Sequence, residues 1–301
     1  MPDVRQDLSQ LLERGSWHDD PTAPGADEID LPRGDVTEGV VRIGPTVRRP
    51  RQATSAAVAA YLLHLEEAGF DGAPRFLGTD EQGRDVLDFI DGEVAGETPE
   101  TWALDDALLP ELGALVARLH AASRGFTPPD EVTFLRDLMP DPPDLVGLVD
   151  PPTLISHNDV TFQNVVVRVG KPVALIDFDL AGPTTELRDV ANTCMHWAPI
   201  RHPGDVEPEL AHLDPFLRSR LIADGYGLAV EDRQRMADVL IRAARVGWYR
   251  MKANAERLGG GWARMWDEGV GDKIRRRGAW LEENQDRLTA ALLAGATVAD
   301  G

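Results

Sequence analysis

Apolar positions along the chain repeat with two different periods, and the change between them sets its organisation. Residues 40–43 alternate apolar and polar like a strand, Gly44-Pro45 turns, and Thr46 to Arg49 begins a second strand that Pro50 ends. Gly34 and Gly39 bracket a polar turn just before them. Over residues 53–68 the spacing becomes helical, with Val58, Tyr61, Leu62 and Leu65 on one face and Gly69 as a stop. Strands are predicted over 73–77 and 86–90, on either side of the turn Asp80-Glu81-Gln82-Gly83. Beyond them helical spacing dominates, over 108–123, 186–197, 214–225, 232–258 and 272–293. Prolines 128, 129, 140, 142 and 143 keep residues 127–152 from forming long helices. The first thirty residues look peripheral: Asp7 to Arg14 suits a short helix, and the acidic stretch after it is broken by Pro21, Pro24 and Gly25.

One interruption of the helical half carries the chemistry. Val165 to Val169 reads as a strand, Gly170-Lys171 as a tight turn and Val173 to Ile176 as the returning strand. The hairpin puts Asn164 and Asp177 at the same end. Just ahead lie His157 and Asp159, which complete the pattern H-x-D-x-x-x-x-N, and Asp177-Phe178-Asp179 follows. An amide oxygen beside a carboxylate suits Mg²⁺, which takes one or two protein oxygens and leaves the rest of its octahedron to phosphates and water. The same letters also fit a solvated turn bearing Asp and Asn. Asp177-x-Asp179 has the wording of a glycosyltransferase metal clasp as well, although no nucleotide-sugar fold pattern surrounds it.

Taken together, these residues resemble the catalytic core of the kinase-like phosphotransferases, in the aminoglycoside phosphotransferase and choline kinase-like branch. The resemblance implies an α+β, bilobal protein-kinase-like fold with a small β-rich N-terminal lobe and a larger, mostly helical C-terminal lobe. The expected division is an arm over 1–30, a nucleotide-covering lobe over 31–91 and a catalytic and acceptor-binding lobe over 92–301. Val86 to Glu93 would be the hinge. By the same resemblance Asp159 is the catalytic base, Asn164 and Asp177 are the Mg²⁺ ligands, and His157 and Asp189 support the catalytic loop. Asp189 suits a solvent-facing first helical turn equally well. His157-Asn158-Asp159 stands where protein kinases have H-R-D, and Asp177-Phe178-Asp179 where they have D-F-G, wording that fits small-molecule kinases better.

One part of the family pattern is missing. Such enzymes carry a phosphate-holding lysine on the third strand of the small lobe, whereas the lysines here are Lys171, Lys252 and Lys273. Arginine can take over that contact. Neighbouring strand residues face opposite ways, and the apolar residue before Arg48 matches the family's strand, so Arg48 is the expected anchor rather than Arg49. The helix that should offer a glutamate partner has only Glu66 and Glu67, at its far end, and the usual ion pair is expected to be lost.

Composition narrows the function further. A formal charge of -20 repels nucleic acid and anionic membranes, attracts cationic small molecules and favours solubility. Cys194 is the lone cysteine, which excludes an intramolecular disulfide, suits a reducing cytoplasm and reads as a buried helical thiol. No targeting peptide is legible at the N-terminus, and the apolar run near 290–299 is too short for a bilayer. There is no P-loop wording and no G-x-S-x-G elbow. His196 and His202 have the wrong spacing for a helical zinc pair, Gly259-Gly260-Gly261 reads as a flexible joint, and Arg275-Arg276-Arg277 as a salt-bridged or solvated helix face. Trp248, Trp262, Trp266 and Trp280 suit core packing, or an aromatic wall over a substrate. The expectation is an Mg²⁺-requiring O-phosphotransferase using ATP, with GTP also eligible. Its acceptor would be a small hydroxylated molecule, an aminoglycoside-like antibiotic or a cationic metabolite. The rival expectation is a kinase-like binding or immunity protein that holds a ligand without transferring phosphate.

Overall fold

The computed structural model describes residues 27–31, 39–96, 98–138, 145 and 148–295. The helix expected at Asp7 to Arg14, the bulk of the arm and the start of the glycine-bracketed turn lie outside the described residues. The N-terminal part is an antiparallel five-stranded sheet in the order β1-β2-β3-β5-β4. Its strands are β1 (Ile29–Asp30), β2 (Val41–Ile43), β3 (Thr46–Arg49), β4 (Phe76–Thr79) and β5 (Asp85–Asp88). Helix α1 (Ser55–Glu67) lies between β3 and β4 in the chain and is buried along nearly its whole length, from Ala57 to Leu63 and again at Leu65. Gly69, at φ 77°, ends it in the left-handed conformation that costs a glycine little.

The C-terminal part is helical around small β elements. Helix α2 (Leu108–Ser123) and the single turn α3 (Leu135–Leu138) precede β6 (Leu154–Ser156), which pairs with β9 (Gly182–Thr184). Between those two strands lies the hairpin β7 (Val165–Arg168) and β8 (Lys171–Leu175). Helices α4 (Glu186–Trp197), α5 (Pro215–Tyr226), α6 (Val230–Leu258), α7 (Gly260–Asp267) and α8 (Val270–Leu293) complete the described order. The side-chain oxygen of Thr185 caps α4 by accepting from Arg188 N, and Asp214 caps α5 by accepting from Phe216 N and Leu217 N. This is the bilobal protein-kinase-like α+β fold: a small β-rich lobe and a larger helical one.

Two close approaches fix the scaffold under the site. A Cβ at Gly113 of α2 would sit 2.2 Å from Ile222 O, and one at Gly225 of α5 would sit 2.0 Å from Pro110 O, so the two helices touch through glycine. That contact sets Tyr226 against His120. A Cβ at Gly92 would fall 2.5 Å from Val166 Cγ1, and the adjacent Glu93 exchanges both backbone hydrogen bonds with Val167 at 2.8 Å. The segment between the lobes is thereby tied to the β7-β8 hairpin.

Some local expectations are revised. The hairpin turn falls at Val169-Gly170, with φ of 52° and 69°, rather than at Gly170-Lys171. Consecutive positive φ values match the right-handed twist of the strands, which is why a two-residue hairpin adopts them even with valine in the first place. Gly259, at φ 64°, ends α6 and Gly260 opens α7 directly, so the glycine run is a sharp break between two helices. Trp248 meets Trp266 with ring centroids 5.7 Å apart and carries Arg275 over its face at 4.1 Å, while Trp280 stacks on Phe216. Arg276 pairs with Asp205. Cys194 is fully buried, and burial pushes its thiol up to about 12. His202 Nδ1 accepts from Gly204 N, and burial, then Arg277 and Arg201, push His196 down to about 4. Among the described residues no helix is long and apolar enough to cross a membrane.

Candidate active site

The hairpin register builds the centre. Val165 pairs with Leu175, and Ile176 N donates to Asn164 O at 2.9 Å, so Asn164 and Asp177 leave the two strands at the same end. Asn164 is buried, and its Nδ2 donates to Asp159 twice, to the backbone O at 2.9 Å and to Oδ2 at 2.8 Å. With the amide nitrogen committed, what Asn164 can offer a ligand is its oxygen, a hard donor. Asp177 is half-buried and held at φ 61°, ψ 69°, a left-handed conformation that is uncommon outside glycine and that redirects its carboxylate from the line of β8.

The loop carrying Asp159 is held from beneath. His157 is fully buried: Nε2 donates to Ile176 O at 2.9 Å, and Nδ1 accepts the Asp159 N–H at 3.2 Å. One imidazole thus links the Asp159 loop to the strand that leads to Asp177, and it packs on Phe178 with centroids 4.5 Å apart. Asp189 lies on α4, fully buried instead of facing solvent. Its Oδ1 accepts from Asn158 N at 3.1 Å, and its Oδ2 accepts from Ser156 Oγ at 2.7 Å and from His120 Nε2 at 3.0 Å. Burial alone would raise this carboxyl, but the hydrogen bonds of His120 and Ser156 outweigh it and hold the pKa below the usual range. Asn192 Nδ2 donates to Asn158 O at 2.6 Å, so Asn158, itself at φ 62°, is fixed on both its N–H and its C=O.

The placement of the two β3 arginines differs from the sequence expectation. Arg48 is fully buried on the opposite face of β3, bonded to Thr46 Oγ1 and 3.5 Å from Asp80 Oδ2. The residue that points toward the hairpin end is Arg49, whose NH2 group lies 3.1 Å from Asp177 Oδ1 and 2.5 Å from Asp179 Oδ2. The reason is strand parity. Val47 packs toward the core, so Arg49, two residues on, shares its face, while Thr46 and Arg48 share the other. Ser156 and Asn192 carry no signal in the sequence, and His120, which reads there as a structural residue, has partners that lie far away in the chain.

An Mg²⁺ ion fits these residues on chemistry. Asn164 offers an amide oxygen and Asp177 an exposed carboxylate edge, the small protein share that a phosphate-bound Mg²⁺ needs. Among the described residues no group of three or more His, Cys, Asp or Glu side chains could hold a metal ion, so a fully protein-built cage is not what this site offers.

Comparison with known proteins matches this geometry. Residues 130–237, which contain every element of the catalytic loop and hairpin, match the family described as "Phosphotransferase enzyme family". The chain belongs to this family. It is 35% identical over 223 residues to the trifolitoxin immunity protein of Rhizobium leguminosarum bv. trifolii, covering 72% of this chain and 81% of that one. A choline/ethanolamine kinase family protein from Mesorhizobium loti shares the fold at 18% identity and TM-score 0.53, over 89% of this chain and 93% of that one. So does an amicoumacin kinase in complex with AMP-PNP and Ca²⁺, at 14% identity and TM-score 0.55, over 85% and 88%.

Proposed function

We propose that this phosphotransferase-family protein moves the γ-phosphoryl group of ATP to a hydroxyl of a small molecule. The observation that carries the reading is convergence: Asp159, Asn164 and Asp177 lie at one hairpin end, and Arg49 reaches Asp177 from the small lobe. Asn164 and Asp177 would hold Mg²⁺. When bound, that ion supplies charge neutralisation on the β- and γ-phosphates. Arg49 contributes a fixed positive charge to the same phosphates. Asp159 accepts the proton of the acceptor hydroxyl and orients it in line, and its carboxylate is kept in one rotamer by the Asn164 amide. Catalysis is then mainly alignment in a preorganised field.

The acceptor would be hydroxylated and cationic, as an aminoglycoside or an amino alcohol is, because the chain carries a formal charge of -20. GTP remains eligible as donor. The test is transfer of labelled γ-phosphate from ATP and from GTP to amino-sugar, amino-alcohol, macrolide and peptide-antibiotic acceptors. One phosphorylated acceptor supports the reading, and tight acceptor binding with no transfer rejects it. A second reading is favoured by the relative named for trifolitoxin immunity: the chain would protect its host by binding a toxin without modifying it. Stoichiometric toxin binding that is indifferent to ATP and Mg²⁺ would select that alternative.

A further inference from the structure

The structure assigns to Asp179 a positioning role: it is the fixed counter-charge that holds Arg49 toward the nucleotide phosphates. The inference rests on the nucleotide reading of this site. A flexible arginine serves as a phosphate contact only if something restrains it, because each immobilised long side chain loses rotamer freedom on binding. Helix α1 supplies no carboxylate at this point. Its residues that line a small cavity together with Arg49 and Asp179 are Ser55, Val58, Ala59 and Leu62. Glu66 lies at the far end of that helix, 3.9 Å from Arg75, and Glu67 is exposed.

The restraint comes instead from the turn that follows β8. Arg49 donates to both Asp177 and Asp179, but the two carboxylates are unequal. The Asp179 side chain is 15% exposed and the closer at 2.5 Å, whereas that of Asp177 is 37% exposed and 3.1 Å away. A cation arriving with phosphates recruits the outer carboxylate, Asp177, and competes with Arg49 for it. Asp179 sits deeper and keeps its hold, so the guanidinium pivots on Asp179 rather than leaving the cleft. Asp85, opposite Arg49 across β3 and β5, is engaged elsewhere: its Oδ1 lies 3.5 Å from Arg51 Nε, and its carboxylate takes a hydrogen bond from the Ser55 side chain.

The test is calorimetric titration of ATP with Mg²⁺ into full-length wild type, Asp179→Asn, Asp179→Glu, Arg49→Ala and the Arg49→Ala/Asp179→Asn double variant, at one salt concentration, with melting curves showing that each is folded. Asp179→Asn should weaken MgATP binding about tenfold, and Asp179→Glu should restore most of the loss. In the Arg49→Ala background the same Asp179→Asn change should cost less than twofold, because its effect passes through Arg49. Where an acceptor is in hand, the Asp179→Asn loss should fall on the KM for ATP and spare kcat. Full additivity of the two losses, with a raised Mg²⁺ requirement in Asp179→Asn, would make Asp179 a metal ligand and overturn the assignment. Wild-type affinity in Asp179→Asn overturns it too and leaves the nucleotide site standing. Failure of wild type to bind MgATP overturns both.

Discussion

Replacing Asp189 should be the costliest single change to the catalytic loop, although Asp189 lies beneath that loop and belongs to another element. Asp189→Ala withdraws the acceptor from Asn158 N, Ser156 Oγ and His120 Nε2, all bonded to a carboxylate that is fully buried. An unsatisfied buried donor costs about 1–3 kcal/mol. The three costs do not simply add. The Ser156 hydroxyl can rotate, Asn158 is only half-buried, and His120 keeps Tyr226 at 2.9 Å on its other nitrogen. Relief of the buried charge offsets part of the rest, which leaves about 3–5 kcal/mol, the range found when one partner of a buried charged network is removed. Asp189→Asn retains one acceptor oxygen and should cost roughly 2–4 kcal/mol. Urea unfolding at neutral pH measures both, with an unchanged dependence on denaturant as the check that the unfolded state is the same. The linkage has a definite sign. The folded carboxyl titrates below its unfolded value of about 3.9, so the unfolded state binds protons first on acidification. Its stability contribution is complete above about pH 4 and drains as pH falls further through the folded pKa. Asp189→Asn should flatten that acid limb. A loss below about 1 kcal/mol in Asp189→Ala, or an unaltered acid limb in Asp189→Asn, would refute the support role.

Further outcomes follow from the same geometry. Arg49→Ala should weaken MgATP binding at least about tenfold with little change in unfolding. Arg48→Ala should do the reverse, costing about 2 kcal/mol of stability through its buried contacts with Thr46 and Asp80 while nucleotide affinity stays near wild type; equal nucleotide effects from the two variants would dismiss the parity argument. Val169→Asn should stabilise the hairpin by about 1 kcal/mol, since valine at φ 52° carries the left-handed penalty and its side chain, 93% exposed, packs on nothing that would be lost. An unchanged or lower melting temperature would show that the turn is not strained.

Which parts were legible in the sequence depended on the range of the forces involved. The hairpin and its shared end were readable because β-branched runs on either side of a turn, between Asn164 and Asp177, encode a local structure. Its turn was misplaced because valine is a poor marker of positive φ, and only the register of Val166 with Ala174 and of Arg168 with Lys171 fixes it. For Arg48 and Arg49 the decisive clue was present. Val47 is the apolar residue of β3, and an inward Val47 carries Arg49 inward with it, whereas the choice of Arg48 followed a family wording that this strand does not keep. The support that Asp189 gives the loop was expected from the resemblance, but its partners Ser156 and His120 were beyond reach from sequence. They lie on β6 and α2, and Ser156 comes beside Asp189 of α4 because β6 pairs with β9, a contact with no local signature.

The most direct test of the account is a comparison of γ-phosphate transfer by wild type and Asp159→Asn, using labelled ATP, Mg²⁺ and the best acceptor found among hydroxylated cations. Wild type should transfer phosphate to the acceptor. Asp159→Asn should bind MgATP nearly as well and turn over roughly 10²- to 10⁴-fold more slowly, the usual worth of a positioned base. Equal turnover by the two proteins, or binding of acceptor with no transfer by either, would contradict the claim that this site is built for phosphoryl transfer.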